Sequence, residues 1–116
     1  MDKCIFCKII DGEIPSRMIY QDDAVVAFHD LHPVAPVHVL IVPRQHCEDI
    51  LGLAGSPAGA DAVRAVLMAV PQIAEMTGVA SGGFRLINNC GADGGQTIRH
   101  VHFHLIGGRP LGEKLL

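Results

Sequence analysis

From His100 to Leu105 the sequence runs HVHFHL, polar and apolar side chains alternating without a break. A period of two belongs to an extended strand, where successive side chains point to opposite faces of a sheet. Val101, Phe103 and Leu105 therefore face a core and are expected to bury against a helix, while His100, His102 and His104 share the other face. The outer two histidines lie roughly 13 Å apart at about 3.3 Å per residue, so one metal ion cannot easily take all three. Three imidazoles at consecutive alternate positions point to site chemistry rather than to an idle polar surface.

The remaining elements can be placed around this strand. Val37 to Pro43 (VHVLIVP) and Ala24 to Asp30 (AVVAFHD) are rich in β-branched residues and separated by the proline-bearing LHPVAP, as adjacent strands would be. Met18 to Tyr20 and Gly83 to Asn88 suggest two more. The stretch following Cys4 suggests a short helical turn, and CEDILGLAG a short helix. Val63, Val66, Leu67, Val70, Ile73 and Ala74 recur at helical spacing between Asp61 and Thr77, with Gly78 to end the helix and Pro71 in conflict with it. Five strands with one long and one short helix make an α+β domain around a mainly antiparallel sheet.

At 116 residues the chain is expected to form a single domain over 1–116, with one core. Its apolar fraction of 49% against 18% charged residues fits a packed globular chain. A net charge of −3 with nine scattered Lys and Arg argues against a nucleic-acid partner, which needs clustered cations. An anionic ligand would have to be held by backbone donors and imidazoles. No segment suits a signal peptide or a membrane span, so a cytoplasmic protein without a membrane partner is expected.

Neutral imidazole is a nucleophile and proton carrier near neutral pH, so His102 flanked by His104 suits group transfer. His38 can reach the same face if its strand lies alongside. The loop NNCGADGGQTIR precedes the histidines directly, and its glycines together with Gln96 and Thr97 suit a phosphate cradle. Cys4 and Cys7 form a CxxC, which in a reducing compartment points to metal before disulfide. A redox-active CxxC is disfavoured because no thioredoxin-like βαβ context surrounds it. Cys47 and Cys90 stand alone and are expected as small buried residues.

The segments CIFCKIIDGEIP, AFHDLHPVAPVHVLIVPRQH and NNCGADGGQTIRHVHFHLIGGRP together resemble the histidine-triad (HIT) family, in its nucleotide-binding branch related to purine nucleoside phosphoramidases. The resemblance runs from about Cys4 to Gly112. It implies a HIT-like fold whose sheet continues across a homodimer, and a purine nucleotide as small-molecule substrate. It also implies that His102 attacks the α-phosphorus of a nucleoside phosphoramidate or related adenylate to form a nucleotidyl-histidine, with His104 and His38 moving protons and contacting phosphate. By the same likeness Asn89, the Gly95 backbone, Gln96 and Thr97 hold phosphate oxygens. Asp30 accepts from the ribose, and Ile14, Phe28, His29 and Leu31 wall the base. Several prokaryotic members resemble this chain in a further respect: Cys4, Cys7, His46 and His100 supply a Cys2His2 set for a structural zinc, with no organic cofactor. Dinucleoside polyphosphate hydrolysis, nucleotidyl transfer, and a nucleotide-sensing or zinc-stabilised interaction module without turnover are the competing expectations. The tail GGRPLGEKLL lacks the tryptophan of animal relatives, which leaves the leaving group open.

Overall fold

The computed structural model describes residues 4–116; the first three residues of the expected 1–116 domain lie outside the described residues. Its elements are α1 (Ile5–Ile10), β1 (Met18–Gln21), β2 (Val25–His29), β3 (Val37–Pro43), α2 (Ile50–Ala54), α3 (Pro57–Thr77), β4 (Phe84–Asn88) and β5 (Phe103–Gly107). The strands form one antiparallel sheet in the order β1-β2-β3-β5-β4. The α+β class and the five strands thus match expectation, and the N-terminal turn is a helix of its own.

The two faces of the sheet bury different things. Val25 and Ala27 of β2, Val39 and Ile41 of β3, and Phe103 and Leu105 of β5 pack with Val101 against Val66, Ala69, Ile73 and Ala74 of α3. On the opposite face Val26, Phe28, Leu40 and Val42 pack with Phe6 of α1. Strands β2 and β3 are covered on both sides, which is why Val25 to Phe28 and Val39 to Pro43 appear in sequence as apolar runs.

Three expectations need correction. The strand expected from His100 starts at Phe103, because β3 pairs with β5 only as far as Ile41↔Phe103. Beyond that point the backbone finds other partners: the Val101 N–H donates to the Cys47 carbonyl and the His102 carbonyl accepts from Asn88 Nδ2. The face alternation survives, since Val101 still joins the α3 side and His102 still meets α1. Leu67, expected in the buried stripe of the long helix, is exposed, and Ala62 and Ala69 occupy the stripe with Val66 and Ile73. Cys47 and Cys90 are partly exposed rather than buried.

Helix α3 begins four residues before the expected start, at Pro57. Ser56 caps it by accepting from the Gly59 N–H at 3.1 Å, and Pro57 fits the first turn, where its missing N–H costs nothing. It continues through Pro71, which is exposed, so the carbonyl that Pro71 leaves unpaired can reach water. Gly78, at φ 78°, closes it. Gly59 lets α3 lie close against α2: a Cβ there would stand 1.6 Å from the Leu53 carbonyl oxygen. Gly59→Ala must push the two helices apart and is expected to cost about 1–3 kcal/mol, read as a lower urea midpoint with an unchanged slope. No helix among the described residues is long and apolar enough to cross a membrane.

Candidate functional site

The histidine row divides into two sites. His100 turns toward the N-terminus, where its Nδ1 lies 3.3 Å from Cys4 Sγ, 3.6 Å from Cys7 Sγ and 3.2 Å from His46 Nδ1. His46 Nδ1 lies 3.5 and 3.4 Å from the same two sulfurs. A tetrahedral ion with bonds of about 2.3 Å to sulfur and 2.0–2.1 Å to nitrogen requires ligand separations of about 3.3–3.8 Å, widest between two sulfurs, and the nitrogen–nitrogen and nitrogen–sulfur distances here are close to those it needs. His100 Nε2 donates to the Pro43 carbonyl at 2.8 Å, which places the ring proton away from Nδ1 and leaves that atom a lone pair. Burial, then the hydrogen bond and charge of Cys4, push the Cys7 thiol up to about 11, and a coordinated dication would pull it far down. Cys4, Cys7, His46 and His100 could thus hold a metal ion.

His102 and His104 remain on the sheet face with ring centroids 5.2 Å apart. His102 is only 6% exposed. Its Nδ1 lies 2.7 Å from the His100 carbonyl, which can only accept, so Nδ1 carries the proton and Nε2 of the neutral ring is a lone pair. The same logic runs through the neighbouring pair. The Val34 N–H donates to His38 Nδ1 at 3.2 Å, so the His38 proton sits on Nε2, 2.9 Å from His104 Nδ1. His104 accepts there and presents its own N–H at Nε2. The site therefore sets a nucleophilic nitrogen beside a donor whose tautomer is assigned by a two-bond relay from the backbone.

Burial pushes His38 below the usual imidazole range, against the raising influence of Asp30, whose Oδ2 lies 3.6 Å away. Burial, then the neighbouring His102 and His38, bring His104 down to about 4. Both rings are neutral at pH 7. An imidazole held at about 4 when folded and near 6.5 when unfolded takes up its proton in the unfolded chain first. Stability from this source is complete above pH 6.5 and is lost as pH falls toward 4. His104→Gln is expected to flatten the pH dependence of the urea midpoint across that window.

Beside the histidines lies an apolar cavity of about 220 Å³, lined by Ile5, Phe6 and Ile9 of α1, Ile14, Pro15 and Ser16 after it, Phe28 to His32, Leu40 and Ile98. It adjoins the reactive face directly: Phe6 meets the His102 ring edge-on at 5.0 Å, and Leu40 pairs with His104 across β3 and β5. All five residues expected around a nucleoside, Ile14, Phe28, His29, Asp30 and Leu31, line it. Asp30 also closes its own turn, with Oδ1 accepting from the His32 N–H at 2.7 Å. The α1 wall was missed by sequence reasoning, although Ile5, Phe6 and Ile9 fall on one face of a helical turn.

The glycine-rich loop stands on the other side of His102. Gly91 and Gly95 adopt φ of 71° and 81°, which a side chain would oppose. The four expected phosphate donors differ in their commitments. Asn89 Nδ2 donates to the Gly94 carbonyl, and the Gly95 N–H to Ala92. Gln96 is buried; its Nε2 donates to Glu48 and Ile98 carbonyls and its Oε1 accepts from the Gly91 N–H. These three hold the loop in shape, while Thr97 stands exposed.

Known proteins resemble the chain along nearly its whole length. A family model described as HIT domain matches residues 11–111. The chain is 44% identical over 114 residues to the purine nucleoside phosphoramidase of Escherichia coli K12, covering 98% of this chain and 94% of that protein. It is 38% identical over 107 residues to protein HitA of Neisseria gonorrhoeae, covering 92% and 97%. The HIT family hydrolase from Clostridium thermocellum superposes with a TM-score of 0.94 at 42% identity, covering 100% of this chain and 99% of that one. A histidine triad protein from Clostridium difficile gives 0.90 at 44%, covering 98% and 99%.

Proposed function

This chain belongs to the HIT domain family, and from that premise we propose that it hydrolyses nucleoside 5'-phosphoramidates or related adenylates at the P–N bond. The observation that carries this reading is the tautomer of His102: Nδ1–H tied to a carbonyl at 2.7 Å leaves Nε2 as a lone pair between an imidazole donor and an apolar cavity. In this reading the purine enters the cavity against Phe28, Ile14, His29 and Leu31, and Asp30 meets the ribose at its rim. The α-phosphate then falls between His102 and the loop of residues 89–97.

His102 Nε2 bonds to phosphorus and the P–N bond breaks, the amine leaving with the electron pair and a proton passed from His104 Nε2, which the attacking water gives back in the second step. Water then bonds to the same phosphorus, and the nucleotidyl-histidine bond breaks to release the monophosphate. His104 Nε2–H, held in place by His38, donates to a phosphate oxygen as charge gathers there. Thr97 adds a hydroxyl donor on the loop shaped by Asn89, Gly95 and Gln96. Zinc is the metal we assign to Cys4, Cys7, His46 and His100, since two thiolates and two imidazoles suit it. With these four protein ligands the ion would keep no open position, and it would serve to anchor the N-terminus. We further take the chain as one domain, cytoplasmic, and a homodimer.

The test compares initial rates on an adenosine phosphoramidate and on a dinucleoside polyphosphate. Faster amine release from the first supports the proposal. Preference for the second moves the chain to polyphosphate cleavage, and tight AMP binding with no turnover of either makes it a binding module.

A further inference from the structure

The two sites made from the histidine row share a wall. We propose that the Cys4, Cys7, His46 and His100 cluster is a positioning centre for the nucleotide cavity: a metal ion held there and a purine nucleotide held in the cavity raise each other's affinity, and Phe6 is the contact between them. This rests on the cavity being the nucleotide site.

Helix α1 has six residues, too few to be stable by propensity alone. What fixes it must come from elsewhere in the fold. Cys4 caps it and Cys7 lies in its first turn, and both sulfurs converge on His46 and His100, which for Cys4 lie 42 and 96 residues away along the chain. An ion joining those four atoms therefore ties α1 to the end of β3 and to the histidine segment at once.

The opposite side of the same helix supplies Ile5, Phe6 and Ile9 to the cavity. Phe6 is buried, and its ring stands edge-on to three others: His100 at 5.9 Å, His102 at 5.0 Å and Phe28 at 5.7 Å. One of these is a metal ligand, one the nucleophile and one a wall of the cavity. A second connection runs through the backbone, because the residue that offers Nδ1 to the ion also offers its carbonyl to His102 Nδ1. Ordering α1 for either ligand orders it for the other, and two ligands that stabilise the same arrangement must each tighten the other by an equal factor.

The test uses the full chain. AMP affinity is measured by titration calorimetry on zinc-loaded and chelator-stripped protein, and zinc affinity by competition with a chromophoric chelator with and without saturating AMP. Stripping is expected to weaken AMP about tenfold, and AMP to tighten zinc about tenfold, within the usual range of coupling. Phe6→Leu should keep one zinc per chain yet reduce both ratios below twofold, an effect that mere loss of cavity surface would not produce. Should stripping unfold the chain by circular dichroism, the zinc competition on folded protein decides alone. Equal AMP affinity in two folded forms, or zinc affinity indifferent to AMP, overturns the coupling and leaves the nucleotide site standing. No AMP binding to zinc-loaded protein overturns both.

Discussion

His102→Ala is expected to lower kcat for phosphoramidate hydrolysis by about 10⁴-fold or more, the scale on which removal of a covalent nucleophile acts, while AMP still binds. The size of the effect follows from the geometry. The two imidazoles beside His102 have committed nitrogens: His38 Nδ1 is taken by the Val34 N–H and His104 Nδ1 by His38 Nε2. His104→Ala leaves the nucleophile and removes only a donor, so its loss should be smaller, about 10²–10³-fold. A double variant should be scarcely worse than His102→Ala, because the donor serves a bond that no longer forms. Pre-steady-state release of amine against steady-state turnover separates the two steps.

Metal removal has the second large effect, on the fold rather than on chemistry. An ion present at a thousand times its dissociation constant stabilises the folded chain by about 4 kcal/mol, which for a domain of this size corresponds to a fall in Tm on the order of 15 °C when it is removed. Cys7→Ser should bring a comparable fall and abolish the response to chelator. Because both sulfurs bind as thiolates, zinc uptake should release protons, the Cys7 proton among them even at pH 9. Atomic emission on protein purified without chelator and differential scanning calorimetry read the two quantities.

What the sequence discloses here follows from periodicity and proximity. The alternation from His100 to Leu105 assigned the two faces correctly, and the β-branched runs located β2 and β3, because both signals are local. The Cys4 and Cys7 pair was legible because few residue types at that spacing have another use, whereas His46 and His100, 42 and 96 residues from Cys4, joined it through the family resemblance. The end of the β5 ladder was not legible, since it depends on the Cys47 carbonyl taking the Val101 N–H from across the fold. The cavity was half legible. Phe28 to Leu31 follow one another at the end of β2, whereas Phe6, Leu40 and Ile98 come from three distant segments that only the closed sheet brings together. Gln96 is the plainest case of hidden chemistry. An amide in a glycine-rich loop looks like a ligand donor, and its burial against the Glu48 and Ile98 carbonyls depends on a contact 48 residues away.

The reaction turns on which atom carries the nucleotide between the two bond exchanges, and that can be read directly. Acid-free quench during turnover of an adenosine phosphoramidate, followed by digestion and peptide mass spectrometry, should find the adenylyl group on His102. An adduct on His38 or His104, or full turnover with water as the only acceptor and no adduct at any quench time, would contradict the account.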